Sequence, residues 1–349
     1  MWLLKSSAPF VLLMIAVFAI PAQAWNRGHA RTFATLPAGE AHPEGITVDA
    51  HGNVYVTTFD VSKSSGPGQL FVFDSSGRLL RQVSVVGSSN LLLDLAFHPT
   101  TGDLLVIDFG NKKVLNVDPV TGSSPVFTTI PGGAGAGPNV LTFDTNGNVY
   151  ISDSFQGTIW RTGSGGGAPT AWKTSTLLTT TGVPPFGANG LAFNNGETAL
   201  FVANTGNDTV VKIPVTVEMG DLVAGTPTVF VNSINGADGL IIDEDDNIWV
   251  AANQADEIVV LDPTGRVIAK LGDFRGIDRH GAPKGLLFPA SLVRRGHFIY
   301  VTNLALDLRV FGLAQPVDAQ WAAEVTRHTV VKIRARIPPI QGLPELDDD

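Results

Sequence analysis

The chain has 349 residues and a formal net charge of −9, with 32 acidic side chains against 23 lysines and arginines. An acidic chain without a basic run is poorly suited to nucleic acid or to an anionic membrane surface, so we expect no nucleic-acid partner. Cysteine is absent, which excludes thiol chemistry and disulfide bonds.

Residues 1–24 have the pattern of a cleavable signal peptide. Lys5 supplies a positive charge, residues 9–20 form an apolar run, and Ala22-Gln23-Ala24 offers the small residues that signal peptidase recognises. An uncleaved membrane anchor is the alternative, but this run is shorter than the about 20 residues that span a bilayer. We therefore expect a secreted, periplasmic or extracellular protein with no membrane span after cleavage.

A repeated pattern occupies most of the remaining sequence. A polar residue opens an apolar strand, a turn containing Asp or Asn follows, and a second apolar strand begins. The clearest copies are EGITVDAHGNVYVTTF from Glu44, NVLTFDTNGNVYISDSF from Asn139 and DGLIIDEDDNIWVAAN from Asp238, each with an aromatic residue eleven positions after the first. Looser copies begin at Asp94, Asn189 and Ser291. A period of 45–53 residues is typical of a propeller blade, so the sequence predicts an all-β, six-bladed β-propeller with four-stranded antiparallel blades around a central axis.

No linker interrupts these repeats. We predict a single propeller domain over residues 25–349, with a C-terminal tail from about residue 338. Residues 316–337 predict a short helix followed by a closing strand. The glycine-rich stretches 132–137 and 163–167 lack the lysine and the following helix of a phosphate-binding loop, and we interpret them as loops between strands.

The polar residues that open the repeats are candidates for a metal site. Equivalent positions of the inner strands converge on the axis of a propeller, and a polar residue opening an apolar strand is costly unless its oxygens are satisfied. Carboxylate and amide oxygens without His or Cys suit a hard cation; calcium is the first candidate, and magnesium, manganese and zinc are alternatives. The competing interpretation is that each residue caps a turn.

The segments PEGITVD, PNVLTFD, ANGLAFN and ADGLIIDEDDNIWVAANQADEIVVLDPTGRVI resemble the senescence-marker-protein/gluconolactonase/luciferin-regenerating-enzyme family of six-bladed propellers. The resemblance extends over all six repeats, from about residue 36 to 312. It implies one axial divalent metal, held by Glu44, Asn139, Asn189 and Asp238. It also implies hydrolysis of a lactone, with Asp238 taking part in proton transfer as the catalytic residue.

Two departures from the family pattern bear on the substrate. Sugar lactonases of the family have an arginine that grips substrate hydroxyls two residues before the first Asn, where this chain has Gly137. The residue after that Asn is often Asp in the family and is Val140 here. These differences disfavour an aldonolactone and favour a more apolar lactone or another ester.

Other polar residues have two open interpretations. Asp94 either adds a carboxylate near the axis or caps its turn. His42, two residues before Glu44, either acts as a catalytic group at the mouth of the site or has no part in it. A set of strand-end residues either supports the ligands or caps the following turns: Asp108, Asp153, Asn204, Asn253 and Asn303. We expect His51, His98 and His297 to be solvated turn residues, and we find no histidine pair that would serve as a base.

The favoured function is a metal-dependent hydrolase of a lactone or related ester, with a small molecule as its partner and a monomeric state. A propeller of the NHL-repeat kind that binds a protein or ligand without catalysis is the main alternative, because GNVYISDSFQGTIWR also resembles that repeat. A metal-free condensing enzyme resembling strictosidine synthase is a third interpretation, which leaves the four oxygen ligands without a purpose.

Overall fold

The computed structural model describes residues 27–335 and 337, so the predicted signal peptide and the tail from residue 338 lie outside the described residues. The described chain is nearly all β-structure. Its first thirteen strands are β1 (Arg31–Thr35), β2 (Pro43–Val48), β3 (Val54–Thr58), β4 (Gln69–Phe73), β5 (Leu79–Ser84), β6 (Leu92–Phe97), β7 (Leu104–Asp108), β8 (Lys113–Val117), β9 (Val126–Thr129), β10 (Pro138–Phe143), β11 (Val149–Asp153), β12 (Thr158–Gly163) and β13 (Gly166–Thr174). The following strands are β14 (Ala188–Phe193), β15 (Ala199–Asn204), β16 (Thr209–Glu218), β17 (Asp221–Ala224), β18 (Thr228–Asn232), β19 (Ala237–Ile242), β20 (Ile248–Ala252), β21 (Glu257–Leu261), β22 (Val267–Leu271), β23 (Phe274–Ile277), β24 (Pro283–Gly285), β25 (Pro289–Arg295), β26 (Phe298–Asn303) and β27 (Thr329–Arg334).

These strands form six antiparallel blades, which confirms the predicted six-bladed propeller. Blades 1, 2, 3 and 5 are β2–β5, β6–β9, β10–β13 and β19–β22. In blade 4 the long strand β16 pairs with β15 and β18 along its first half and forms a hairpin with β17 along its second half. Blade 6 combines β25, β26 and β27 with β1 from the other end of the described chain. The innermost strands, β2, β6, β10, β14, β19 and β25, each contact both neighbours and close the ring.

The predicted short helix and closing strand are also present. Helix α1 (Ala319–Ala322) precedes β27, which pairs with β26 on one side and β1 on the other. The glycine-rich stretches form a short 3-10 turn at Gly133–Gly135 and the hairpin between β12 and β13. Within the described residues, no helix is both long and apolar enough to span a membrane.

A turn of the same geometry recurs between the first two strands of three blades. Asp49 Oδ1 accepts the backbone N–H of Asn53 at 2.8 Å, while its Oδ2 accepts the Asn53 amide at 2.8 Å and the Tyr55 hydroxyl at 3.1 Å. The same three contacts recur in blade 3 (Asp144, Asn148 and Tyr150) and blade 5 (Asp243, Asn247 and Trp249). The repeated aromatic residue is therefore part of the turn, because its polar atom donates the last hydrogen bond to a carboxylate that is partly buried in blade 1 and buried in blades 3 and 5.

His98 holds the corresponding place in blade 2, so the prediction that it is solvated was wrong. Its Nδ1 accepts the backbone N–H groups of Thr100 and Thr101 at 3.2 Å, and its Nε2 contacts the Gly147 carbonyl of blade 3 at 2.9 Å. The ring is buried because it replaces the missing Asp and also links two blades. His51 and His297 are exposed, as predicted.

Every inner strand carries a β-bulge near its start. In blade 1, Pro43 pairs with Thr58 and Ile46 pairs with Val56, so two inner residues, 44 and 45, face one residue of β3. The other five blades show the same shift, at 92/95, 138/141, 188/191, 237/240 and 289/292. A bulge redirects the side chains around it. Here it turns the first of its two residues towards the axis.

Candidate metal centre

The bulge register defines which residue of each blade is equivalent to Glu44. The first bulge residues are Glu44, Leu93, Asn139, Asn189, Asp238 and Ala290. Asp94 and Ser291 are second bulge residues, one place further along, so their assignment as leading residues was wrong. The reason is turn length: six residues separate the paired ends of the two strands in blade 2, five in blade 1 and two in blade 6. Counting eleven residues back from Leu105 therefore reaches Asp94 instead of Leu93.

The structure brings the four predicted metal ligands together in one axial pocket. Glu44, Asn139, Asn189 and Asp238 all line it and are all buried, with relative exposures of 3–5%. The cavity volume is about 40 Å³, enough for an ion and a water molecule. No lysine or arginine of the described residues lines the pocket. Two carboxylates and two amides thus face one another without a cationic side chain among them.

Hydroxyl groups orient the two asparagine amides. Asn139 Nδ2 donates to Ser154 Oγ at 3.0 Å, and Asn189 Nδ2 donates to Thr205 Oγ1 at 2.9 Å. Because each amide N–H is engaged in this way, Oδ1 is the free end of the side chain. Among the described residues, the Oδ1 atoms of Asn139 and Asn189 are buried and have no hydrogen-bond partner.

The carboxylates complete this set of oxygens. Glu44 Oε2 is likewise buried and without a partner among the described residues. Asp238 is held by neighbouring amides: Asn253 Nδ2 donates to its Oδ2 at 3.0 Å, and Asn189 also hydrogen-bonds the carboxyl group. A buried polar atom left unpaired costs about 1–3 kcal/mol, and three such acceptors in one pocket indicate a site for a donor or a cation.

Burial dominates the electrostatics of both carboxyl groups. It raises the pKa of Asp238 to about 7, although hydrogen bonds from Asn253 and Asn189 act in the opposite direction. Burial also raises the pKa of Glu44 well above its usual value, and the neighbouring carboxylates of Asp238 and Asp94 add to the rise. A divalent cation would reverse both shifts, because an adjacent opposite charge favours the ionised form.

The donor set fits a hard cation. Calcium takes six to eight oxygen ligands, often carboxylate and amide oxygens together with water, whereas zinc sites are dominated by His and Cys. In the part of the chain that the structure describes, no three His, Cys, Asp or Glu side chains are placed to hold a metal. The candidate centre therefore depends on the two amide oxygens as much as on the two carboxylates.

Asp94 faces the other side of the axis. Its Oδ2 accepts the Leu141 backbone N–H at 3.0 Å, and it lines a second cavity of about 280 Å³ together with Ser291 and Val140. Burial raises the pKa of Asp94 to about 7, against the effect of the backbone N–H groups of Leu141 and Leu95. Asp94 is close enough to influence Glu44 but does not line the pocket of the four candidate ligands.

His42 does not line that pocket either. Its Nδ1 donates to the Leu304 carbonyl at 3.0 Å, and its ring lies edge-on to His328 at 4.7 Å between centroids. His42 therefore forms a pair with a histidine nearly 290 residues away in sequence, just before the closing strand. Neither ring lines the pocket of the candidate ligands, and the expectation that no histidine pair serves as a base stays a prediction. Burial lowers the pKa of both imidazoles, that of His328 to about 3.

Four of the five strand-end residues bind loops. Asp108 accepts from Ser89 and Asn111, Asp153 from the backbone of Gly137 and Phe155, and the amides of Asn204 and Asn303 donate to loop carbonyls. Only Asn253 contacts a candidate ligand, and it lies one position later in its blade than the others. Its equivalents in blades 3 and 4 are Ser154 and Thr205, which sequence reasoning missed; they immediately follow Asp153 and Asn204.

The place of the missing arginine is filled by an aromatic ring. A Cβ atom on Gly137 would lie 2.8 Å from the ring of Phe155, so a larger residue would require that ring to move. Above the ligands the pocket wall is apolar, formed by Phe59, Leu93, Pro184, Phe186, Phe288, Leu304, Leu306 and Leu308.

Comparison with known proteins agrees with this arrangement. A family model described as the SMP-30/gluconolactonase/LRE-like region matches residues 96–272, just over half of the chain. The chain belongs to this family. Membership confirms the resemblance drawn from the repeats and makes a lactonase-type hydrolase plausible. Among curated protein sequences, none matches the chain at a significant level.

Solved structures of the SMP-30/gluconolactonase type share the fold. A luciferin-regenerating enzyme is 18% identical with a TM-score of 0.60, and the match covers 85% of this chain and 92% of that one. Regucalcin from Agrobacterium tumefaciens, described as a calcium-binding protein, is 18% identical with a TM-score of 0.60 over 90% and 98% of the two chains. A gluconolactonase from Xanthomonas campestris is 14% identical with a TM-score of 0.57 over 80% and 87%. At these identities the likeness establishes the propeller alone.

Proposed function

We propose that this protein is an exported, metal-dependent hydrolase of lactones or related esters, with one divalent cation, most simply Ca²⁺, held by Glu44, Asn139, Asn189 and Asp238. The observation that carries the proposal is the set of buried, unpartnered oxygens of Glu44, Asn139 and Asn189 beside the Asp238 carboxylate. Family membership supports it, because the family includes gluconolactonases and a calcium-binding regucalcin.

When bound, the cation supplies Lewis acidity towards a carbonyl and lowers the pKa of a neighbouring water. The protein's own contribution to the chemistry centres on Asp238. Its Oδ2 accepts a hydrogen bond from Asn253, and the carboxylate has further lone pairs with which to accept a proton from the attacking water. As the C–O bond of the ester breaks, the same carboxyl group returns that proton to the leaving alkoxide. Water is consumed and a hydroxy acid, or an acid and an alcohol, is released.

The remaining pocket residues position and shield these groups. Ser154 and Thr205 fix the amides of Asn139 and Asn189, so that Oδ1 points into the pocket. The apolar wall keeps bulk water away, which strengthens the electrostatic interactions within the pocket.

The test combines metal content, stability and activity on the same preparations. We expect the purified protein to contain about one divalent ion per chain, and EDTA to lower both its melting temperature and its lactone hydrolysis, with Ca²⁺ restoring both. Asp238→Ala should lose metal affinity and hydrolysis together. Asp108→Asn, which removes a buried carboxylate that lines no part of the pocket, should retain both.

A chain that binds no divalent cation, and whose melting temperature is unaffected by EDTA, would contradict the metal site and leave the NHL-like binding propeller as the better interpretation. Retention of the protein in the cytoplasm would contradict the proposed export, and an exported protein that keeps residues 1–24 would contradict cleavage of the signal peptide.

A further inference from the structure

Two sets of equivalent positions lie at the axial pocket, and nine of their twelve members line it. The first set, here called the lower ring, comprises the first bulge residues: Glu44, Leu93, Asn139, Asn189, Asp238 and Ala290. The second set, here called the upper ring, lies at the end of the second strand of each blade. It comprises the residue directly after the one that pairs with the residue before the bulge: Phe59, Phe109, Ser154, Thr205, Asn253 and Leu304. In five blades the upper-ring residue donates its backbone N–H to a carbonyl just before the inner strand, which supports treating these residues as equivalent.

The two rings divide the pocket into halves of opposite character. In blades 3, 4 and 5 both rings are polar, and the upper residue hydrogen-bonds the lower one. In blades 6, 1 and 2 the upper ring consists of Leu304, Phe59 and Phe109. The lower ring there consists of Ala290, Leu93 and one polar member, Glu44; of the six residues in these blades, Ala290 and Phe109 do not line the pocket.

The apolar half continues outward from the rings. Phe288, Leu306 and Leu308 extend it, and they belong with Phe59, Leu93 and Leu304 to one hydrophobic cluster. None of these side chains can donate or accept a hydrogen bond. A substrate that carried several hydroxyl groups into this half would leave them unpaired and desolvated, which opposes binding.

Further aromatic rings lie beside the apolar half of the pocket. Phe186 lines the pocket and stacks on Phe155 at 5.7 Å, and it meets the edge of Phe311 at 5.8 Å. Phe155 and Phe311 are 43% and 38% exposed. Phe186 therefore connects the apolar pocket wall to two partly exposed aromatic rings.

We infer that the substrate is a lactone or ester with an alkyl or aryl substituent, bound with its carbonyl towards Asn139, Asn189 and Asp238 and its substituent against Phe59, Leu93 and Leu304. The inference rests on the proposed function, which supplies the carbonyl end of the substrate. Polyhydroxylated sugar lactones are excluded by the same division, because the half that would meet their hydroxyls has no polar side chain except Glu44.

Substrate length provides a test that needs no altered protein. We would measure kcat/KM for γ-lactones with methyl, butyl and octyl substituents, and for D-glucono-δ-lactone. Burial of one methylene group corresponds to about a fourfold gain in binding. We expect kcat/KM to rise by roughly this factor per carbon over the first carbons, and the sugar lactone to be the poorest substrate. Equal rates along the series, or preference for the sugar lactone, would overturn the inference and leave the hydrolase proposal intact.

A binding measurement separates the inference from catalysis. Calorimetry with 5-alkyl-2-pyrrolidinones, lactams that are not hydrolysed, should show tighter binding to the Ca²⁺-loaded protein as the alkyl group lengthens. Chain-length-dependent lactam binding without hydrolysis of any ester would support the apolar half and defeat the proposed catalysis. Lactams that fail to bind, or bind independently of length, would overturn the inference.

Two matched substitutions test where the alkyl substituent binds. Leu304→Thr should flatten the dependence on alkyl length while Ca²⁺ affinity, measured with the ion alone, stays within about threefold of the unaltered protein. Val293→Thr makes the same kind of change in the second cavity, on the other side of the axis, and should leave the length dependence as it was. If both variants behave alike, the substituent does not bind where we place it.

Discussion

Asn253 donates a hydrogen bond from Nδ2 to Oδ2 of Asp238 over 3.0 Å, and its own Oδ1 is buried without a partner among the described residues. The amide therefore fixes one carboxylate oxygen with its nitrogen, while its own oxygen lies against Gly236. It also stabilises the ionised form of Asp238, against the effect of burial.

Asn253→Ala should raise the pKa of Asp238, because the hydrogen bond that favours its charged form is lost. In a pH profile of kcat/KM, the acidic limb should move to higher pH, and the maximum rate should fall by roughly tenfold, as is common when the partner of a ligand is removed. Asn204→Ala removes a buried amide that binds only loop groups and should lower stability without moving the limb. An unshifted profile in Asn253→Ala would show that this contact does not tune Asp238.

Ser154→Ala should weaken Ca²⁺ binding by roughly tenfold, because the Asn139 amide would lose the hydroxyl that orients its oxygen. Thr205→Val should act in the same way on Asn189. Calorimetric titration with Ca²⁺ measures both effects. Thr205→Ser keeps the hydroxyl and serves as the matched control; it should bind Ca²⁺ nearly as well as the unaltered protein. Equal loss in the Ser and Val variants would mean that packing, and not the hydroxyl, is responsible.

The metal-free protein should lose stability as the pH rises. Burial raises the pKa of Asp238 to about 7, so between pH 4 and pH 7 the folded form retains a proton that the unfolded chain has released. Stability therefore falls with rising pH through this window, and Glu44 contributes in the same direction. Melting temperatures measured after metal removal should decrease from pH 4 to pH 8, and saturating Ca²⁺ should abolish most of the decrease. A flat metal-free profile would contradict the burial of ionisable carboxyl groups at the axis.

Asp94→Asn tests whether Asp94, like Asp238, is a ligand of the cation. We expect the variant to bind Ca²⁺ with an affinity much closer to that of the unaltered protein than Asp238→Asn does, because Asp94 lines the second cavity. At pH values above 7, the metal-free variant should melt at a higher temperature than the metal-free unaltered protein, because the unaltered protein must ionise a buried group there. Loss of Ca²⁺ binding as severe as in Asp238→Asn would place Asp94 among the ligands.

Gly190→Ala tests the close approach of the inner strands. A Cβ atom there would lie 2.4 Å from the Asp238 carbonyl oxygen and 2.5 Å from the Leu240 nitrogen, both in the neighbouring blade. Because backbone atoms cannot yield as a flexible side chain does, we expect a loss of about 2 kcal/mol or more in the free energy of unfolding, with weaker Ca²⁺ binding. Gly163→Ala has no atom within 4 Å of the added carbon and should be close to neutral. Chemical denaturation of both variants makes the comparison.

The repeats were sufficient to predict the architecture, because a short turn between two apolar strands is a local pattern that recurs in each copy, with Asp in the turns of blades 1, 3 and 5. The positions Glu44, Asn139, Asn189 and Asp238 were likewise predictable, since each opens an apolar strand. The register of blade 2 was not. Its turn is one residue longer than that of blade 1, and only the pairing of Leu92 with Asp108 reveals that Leu93 faces the pocket.

Contacts between distant segments were beyond sequence reasoning for a related reason. Ser154 and Thr205 carry no local signal, because a hydroxyl after a strand is common and its partner lies 15 or 16 residues earlier. His328 lies next to His42 only because the chain returns to blade 6 beside blade 1. Such residues become identifiable once the register of the blades is known.

The pairing of β1 with β27 has a consequence for how the ring is held together. A cation bound by Glu44, Asn139, Asn189 and Asp238 would connect blades 1, 3, 4 and 5 across the axis, but it would have no ligand in blade 6. That blade depends on hydrogen bonds between strands from opposite ends of the described chain, Arg31–Thr35 and Thr329–Arg334. The cation and the pairing of β1 with β27 would therefore secure different parts of the ring, so that removing the ion would leave the closure of blade 6 in place.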